Sequence, residues 1–123
     1  MIEGAVTTER KIVIPLAVLA ADRTAVPIQA VVDTGFIRFV TLSPDVLGKL
    51  GASAAGTCRA LLGDGNLVEL DVYVAKVRWH DEDREVLALQ AEATPLTGMS
   101  LLGGSRVGFD AQDGGVVTIE AIA

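Results

Sequence analysis

The sequence has few of the residues that carry nucleophilic, redox or metal chemistry. It contains one cysteine, Cys58, and one histidine, His80, among 123 residues. A lone cysteine excludes a disulfide within the chain and is compatible with a reducing compartment. Because His80 lies beside the acidic stretch 81–83, a catalytic cysteine–histidine pair is disfavoured.

Positive charge is also scarce. Ten Lys and Arg residues face sixteen Asp and Glu residues, which gives a formal charge of -6, and the basic residues do not cluster. This balance argues against nucleic acid as a partner. An acidic surface mainly keeps a protein soluble.

Long apolar runs are missing as well. The longest one, 12–21, is interrupted by Pro15 and is about half the length that a bilayer-spanning helix needs. The stretch before it is charged and polar, unlike a secretory signal peptide. We therefore expect a cytoplasmic protein without a membrane partner.

Apolar residues and glycine are abundant. Half of the residues are apolar, and there are thirteen glycines. A chain of this length buries a core without disulfides or metals. The composition predicts one compact domain, 1–123, with many turns.

Strand patterns dominate the chain. Runs rich in β-branched residues cover 10–20 and 24–33, a long alternating segment covers 67–79, with a turn at 80–83 and a return strand at 84–93, and a last hairpin joins 106–110 to 116–123. Pro15 and Pro27 inside two of these runs indicate edge positions or bulges. In the long segment, Leu70, Val72 and further even-numbered residues share one face.

Helix signals are few. Ser43 is a candidate N-cap, Pro44 stands at the first helical position and Gly51 marks the end. The stretch 98–104 predicts another short helix. The pattern as a whole predicts an all-β fold with one or two short helices.

One short stretch, "AVVDTGFIRF" from residue 30, points to chemistry. Asp33 follows two valines and precedes Thr34 and Gly35. A carboxylate in apolar surroundings is costly unless it is hydrogen-bonded or reactive. Gly35 lets the backbone turn closely under the carboxylate, so that its amide can donate to it. The alternative is a plain loop in which Asp33 caps a backbone amide.

With its context, this stretch resembles the catalytic signature of the retropepsin-like aspartic proteases, of the small single-domain bacterial type. The likeness extends over nearly the whole chain. "LLGDGNLVEL" is similar to the family's flap, which Leu62, Gly63, Asp64 and Gly65 would form, with the last three at its tip. "PLTGMSLLGG" is similar to the later motif that supports the catalytic loop, which comprises Leu96, Thr97, Gly98 and Met99. The resemblance implies a closed, strongly twisted barrel.

The resemblance also implies a reaction. Two carboxylates about 3 Å apart share one proton; one activates a water as general base, and the other polarises the scissile carbonyl. Because Thr97-Gly98 lacks an aspartate, the second carboxylate must come from Asp33 of another copy, in a homodimer. Thr34 would bond to the partner loop, and Phe36 would line the cleft. Peptides or proteins are the implied substrates, and no cofactor or metal is needed.

Several positions depart from the family pattern. Phe36 replaces a small residue that often carries a hydroxyl, so we expect a pH optimum above about 4. Ile37 and Met99 stand where retroviral members have an aspartate and an arginine, and we expect their side chains to touch. Thr97 replaces an aliphatic residue and needs a hydrogen-bond partner if it is buried. The flap tip has no Tyr or Trp.

Other interpretations remain open. The stretch 81–83 with His80 could hold a metal, although consecutive carboxylates are typical of a solvated turn. "LLGGSRVG" has spaced glycines but lacks the lysine of a phosphate loop. The fold could also serve as a non-catalytic, dimeric peptide-binding or scaffolding module, or Asp33 could merely cap a turn in an ordinary β-domain.

Overall fold

The computed structural model describes residues 1–61 and 64–123 and is built mainly from β-strands. The elements are β1 (Ile2–Val6), β2 (Ile12–Leu19), β3 (Ala25–Val32), β4 (Val40–Leu42), α1 (Pro44–Leu50), β5 (Ser53–Leu61), β6 (Leu67–Trp79), β7 (Glu82–Gln90), β8 (Leu96–Thr97), α2 (Met99–Leu102), β9 (Ser105–Phe109) and β10 (Val116–Ala121). The mostly-β class and both short helices agree with the sequence patterns.

The strands form one sheet in the order β5-β6-β7-β4-β8-β3-β2-β1-β10-β9, with a further pairing between β6 and β2. Most neighbours are antiparallel, whereas β3–β8 and β4–β7 are parallel. The parallel β3–β8 pair places the loop that contains Thr34-Gly35 beside the stretch Thr97-Gly98. The strand order by itself does not establish the closed barrel that the resemblance implies.

The core lies between the faces of this sheet and is closed by the two helices. Alternation along β2 buries Ile14, Leu16 and Val18 while Pro15 is exposed, as expected for a strand with one face in the core. Helix α1 contributes Leu47 and Leu50, and α2 contributes Leu101 and Leu102.

Pro15 in β2 and Pro27 in β3 occupy positions where no amide hydrogen is needed, but β2 is not an edge strand. On the side opposite β3, residues 12 and 13 of β2 pair with β1, and residues 17–19 pair with β6. Pro15 lies in the gap between these two pairings. Pro27 lies on the part of β3 that β8 does not reach. The β2–β3 register is continuous from Val13 to Leu19, so neither proline marks a bulge.

Strand β6 does not keep one buried face along its length. In its N-terminal half, Val72 is buried, whereas Ala75, Val77 and Trp79, on the opposite face, are buried in its C-terminal half. The buried face changes because residues 67–74 pair with β5, while residues 76–78 pair with β2. The alternation that the sequence predicts holds, because β6 is one continuous strand over Leu67–Trp79, but the pattern does not show that the buried face changes near residue 74.

The turn between β6 and β7 is shorter than the sequence predicts. Trp79 pairs with Glu82, which leaves His80 and Asp81 as the turn, with φ values of 51° and 63°. Two positive φ angles are typical of the type I′ hairpin turn, whose twist matches that of the strands. The return strand consequently begins at Glu82.

Local capping follows the sequence closely. The Val46 N–H donates to the Ser43 hydroxyl, and Gly51 ends α1 with a φ of 62°, a conformation that glycine adopts without strain. In the β2–β3 turn, hydrogen bonds from the Thr24 side chain and backbone hold the pKa of the Asp22 carboxyl below its ordinary value. Among the described residues, none of the helices is long and apolar enough to cross a membrane.

Candidate active site

Asp33 lies directly after β3, where that strand runs beside β8. Val32 pairs with Thr97, and the Asp33 N–H donates to the Thr97 carbonyl over 2.9 Å. This bond ties the start of the loop to a fully buried residue. The position of Asp33 is thus fixed by the sheet.

The carboxylate of Asp33 is hydrogen-bonded within its own loop. Its Oδ1 accepts a hydrogen bond of 2.9 Å from the Gly35 N–H, and its carbonyl accepts one of 3.1 Å from the Phe36 N–H. The first is the contact that the sequence predicts for the glycine. Asp33 is half-buried, while Thr34 and Gly35 are exposed. The carboxylate therefore has a fixed orientation together with access to solvent or to a partner.

Gly98 is packed so tightly that no side chain fits there. An added Cβ would lie 2.2 Å from the Arg38 carbonyl oxygen and 2.6 Å from both the ring and the carbonyl oxygen of Phe36. The close approach allows Phe36 to pack on the Gly98 backbone. Phe36 is half-buried, and its lining of a cleft stays a prediction.

A ladder of hydrogen bonds joins the stretch after Gly98 to the stretch after Asp33. The N–H groups of residues 98, 99 and 100 donate to the carbonyls of Phe39, Phe36 and Arg38, respectively, over 2.9, 2.8 and 3.2 Å. The Ser100 hydroxyl donates to the Ile37 carbonyl over 2.5 Å. The sequence analysis missed Ser100, whose only signal was a hydroxyl two residues after a constrained glycine.

Thr97 is completely buried, and its hydroxyl has a partner. Its Oγ1 donates to the Val31 carbonyl over 3.1 Å. Nearby, the Leu96 N–H donates to the Thr41 hydroxyl over 2.9 Å. The expectation that a buried Thr97 hydroxyl finds an acceptor is confirmed, and Leu96 and Thr97 both lie in the strand beside the Asp33 loop.

The hairpin that the sequence analysis assigned to the flap is formed by β5 and β6, with Leu61 opposite Leu67. Asp64 accepts hydrogen bonds of 3.0 Å from both the backbone N–H and the side-chain amide of Asn66. Gly65 has a φ of 87°. The predicted flap residues Leu62 and Gly63 lie outside the described residues.

Ile37 and Met99 are both largely exposed, at 75% and 47%. The ladder described above brings their backbones together, because residues 99 and 100 bond to residues 36–38. Contact between the two side chains stays a prediction.

The acidic stretch 81–83 is part of a hairpin. Asp83 forms an ion pair of 3.2 Å with Arg78 across the two strands. Within 1–61 and 64–123, no group of three or more His, Cys, Asp or Glu side chains is placed to hold a metal ion.

Comparison with known proteins supports the fold that this geometry defines. No family model matches the sequence, and no curated protein is significantly similar to it. The fold is retropepsin-like. A crystal structure of a retropepsin-like aspartic protease from Rickettsia conorii superposes with a TM-score of 0.61 and 20% sequence identity, covering 98% of this chain and 90% of that one.

Proposed function

We propose that this chain is an aspartic endopeptidase. The observation that carries the proposal is the fixed carboxylate of Asp33, which follows a core strand of a retropepsin-like fold, accepts the Gly35 N–H and remains partly exposed. A reactive carboxylate needs this combination of orientation and access.

The proposed enzyme is a homodimer in which the Asp33 residues of two copies face each other. Held close together, the two carboxylates share one proton and form an acid–base pair. The ionised member takes a proton from a bound water, which attacks the peptide carbonyl. The protonated member polarises that carbonyl and then helps protonate the leaving amine. The exposed Thr34 is available to bond across the two-fold axis.

The rest of the described chain supports the same proposal. The β5–β6 hairpin supplies a flap, with Asp64 and Gly65 at the described part of its tip. The β6–β2 pairing joins strands far apart in the sheet order, which favours a closed barrel. The absence of cysteine other than Cys58 suits a cytoplasmic enzyme, and the neighbour from Rickettsia conorii favours the bacterial type.

A digest with a variant at the proposed catalytic residue tests the activity. The purified protein is incubated with a peptide library, and the products are identified by mass spectrometry. We expect cleavage that Asp33→Asn reduces by at least about 1,000-fold, because the amide can neither share the proton nor activate water. Asp45→Asn, an exposed carboxylate in α1, is the matched control and retains activity. Cleavage that survives in Asp33→Asn contradicts the dyad.

Phe36 favours a second candidate, a dimeric peptide-binding module. It places a ring against Gly98 where a hydroxyl could have supported an ionised carboxylate. If no peptide is cleaved, and wild type and Asp33→Asn bind the same peptides with equal affinity, the binding module is the better description.

A further inference from the structure

A small cavity lies beside the loop that carries Asp33. It is lined by Arg38, Phe39, Leu87, Leu89 and Ser100 and has a volume of about 150 Å³. Since water occupies about 30 Å³ per molecule in the liquid, this space suits one amino-acid side chain. The cavity has an apolar wall and, at Arg38, a cationic rim.

The backbone around this cavity is the one that supports Asp33. Ser100 donates through its N–H to the Arg38 carbonyl and through its hydroxyl to the Ile37 carbonyl. The same Arg38 carbonyl oxygen is the atom that an added Cβ at Gly98 would meet first. Arg38 therefore projects from a fixed point five residues after Asp33.

Two guanidinium groups lie near the cavity without an acidic partner in the described part of the chain. Arg38 is exposed, and Arg84 stacks over the Phe39 ring at 5.9 Å from its centroid. The ion pairs found among the described residues involve other cations. Glu85, on the same face of β7 as Leu87, lies opposite Lys76 on β6.

The apolar wall continues from the cavity toward the flap. Leu87 and Leu89 pair with Val74 and Val72 on β6. The partly buried Leu70 and Val68 follow on that face of β6 as it approaches the hairpin tip. An extended peptide under the flap could therefore reach the cavity along a continuous apolar surface. Leu87, exposed at 46%, would then be covered by substrate.

We propose that this cavity is a substrate subsite that accepts a glutamate side chain. The methylene groups would pack on Leu87, Leu89 and Phe39, and the carboxylate would pair with the Arg38 guanidinium. Guanidinium and carboxylate match as planar, bidentate partners. In a chain with a net charge of -6, the subsite concentrates positive charge where most of the surface repels an acidic side chain. The inference rests on the proposed cleavage or binding of peptides, and it names a specificity that the dyad alone does not supply.

Matched peptides test the subsite. A cleaved peptide is resynthesised with Glu, Gln or Lys at each position in turn, and kcat/KM is measured for each. At one position we expect Glu to exceed Gln roughly 10-fold, in line with a charge-assisted hydrogen bond, and the preference to fall as salt is raised. In Arg38→Gln the ratio falls toward one, and in Arg38→Glu it reverses in favour of Lys. Arg23→Gln, an exposed arginine in the β2–β3 turn, is the matched control and keeps the wild-type ratio.

The outcomes separate this inference from the proposed function. Cleavage that depends on Asp33 but shows no Glu preference, or a Glu preference that Arg38→Gln leaves intact, overturns the subsite and leaves the protease standing. If no peptide is cleaved, the affinities of the Glu and Gln peptides for the uncleaving protein are compared by calorimetry. A Glu preference lost in Arg38→Gln then supports the subsite, and equal affinities overturn it.

Discussion

Gly98 occupies a position where one added carbon atom would collide with the backbone of two other residues. We predict that Gly98→Ala lowers the free energy of unfolding by at least about 2 kcal/mol, because the displaced atoms belong to the hydrogen-bonded loop of Phe36 and Arg38 and cannot give way cheaply. Urea denaturation monitored by tryptophan fluorescence measures the change.

Gly108→Ala is the control for this substitution. It lies in β9, and its added Cβ would come no closer than 3.6 Å to the Thr118 hydroxyl oxygen. Since alanine is no worse than glycine in a strand interior, we expect little loss or a small gain. Equal stabilities of the two variants would show that the loop is able to adjust.

At the residue scale, the sequence predicts contacts between residues close in the chain and contacts that a buried polar group requires. The Gly35 N–H on the Asp33 carboxylate spans two residues, and the buried Thr97 hydroxyl needs an acceptor wherever it lies. The bond from Ser100 to the Ile37 carbonyl spans 63 residues. Nothing near Ser100 in the sequence specifies it, because the partner is brought there by the sheet.

The hairpin of β6 and β7 offers a prediction about a secondary-structure element. Asp81 has a φ of 63°, a conformation that costs an L-residue more than glycine. We expect Asp81→Gly to raise the free energy of unfolding by about 0.5 kcal/mol, as glycine suits the second position of a type I′ turn. Thermal unfolding followed by circular dichroism measures it.

Asp81→Asn controls for the loss of charge in that turn. Asparagine tolerates the same backbone conformation, so its effect should stay close to zero. If asparagine and glycine stabilise the protein equally, removal of the negative charge, rather than the backbone angle, is the cause.

Elements with local start and stop signals are those that the sequence locates. Helix α1 has its cap at Ser43 and its end at Gly51, and the last hairpin forms where its turn residues indicate. Strand β6 shows the limit of such patterns. Its buried face changes because it passes from one partner, β5, to another, β2, and a single-strand pattern carries no information about its partners.

The whole molecule is predicted here to act as a pair of identical chains. Mixing wild type with an excess of Asp33→Asn should therefore suppress cleavage well below the level of wild type alone, since each mixed dimer has only one carboxylate. Activity against a fluorogenic peptide, followed after subunit exchange, measures it. Asp45→Asn in the same excess is the control and should not suppress activity.

Dilution gives an independent check of the pair. Specific activity should fall as the protein is diluted below its dissociation constant, because the monomer holds half a site. Sedimentation measured over the same concentrations should show the same midpoint. A specific activity that does not change on dilution, together with a monomer in sedimentation, contradicts the dyad.

The arrangement of the sheet is the part that local patterns could not supply. The parallel pairs β3–β8 and β4–β7 join segments that are far apart in the chain, and periodicity predicts strands without their neighbours. The resemblance carried by Asp33-Thr34-Gly35 and Thr97-Gly98 indicated a retropepsin-like fold, and the structural neighbour supports it.

Strand β6 has a mechanical consequence. Near residues 76–78 it is hydrogen-bonded to strands on both sides, whereas residues 67–71 pair, among the described residues, with β5 alone. The strand is therefore anchored on both sides near its C-terminal end and is paired on one side near the hairpin tip. Bending of residues 67–71 leaves the pairings near residues 76–78 intact, so the proposed flap can move over a bound peptide while the core around Val77 and Trp79 stays packed.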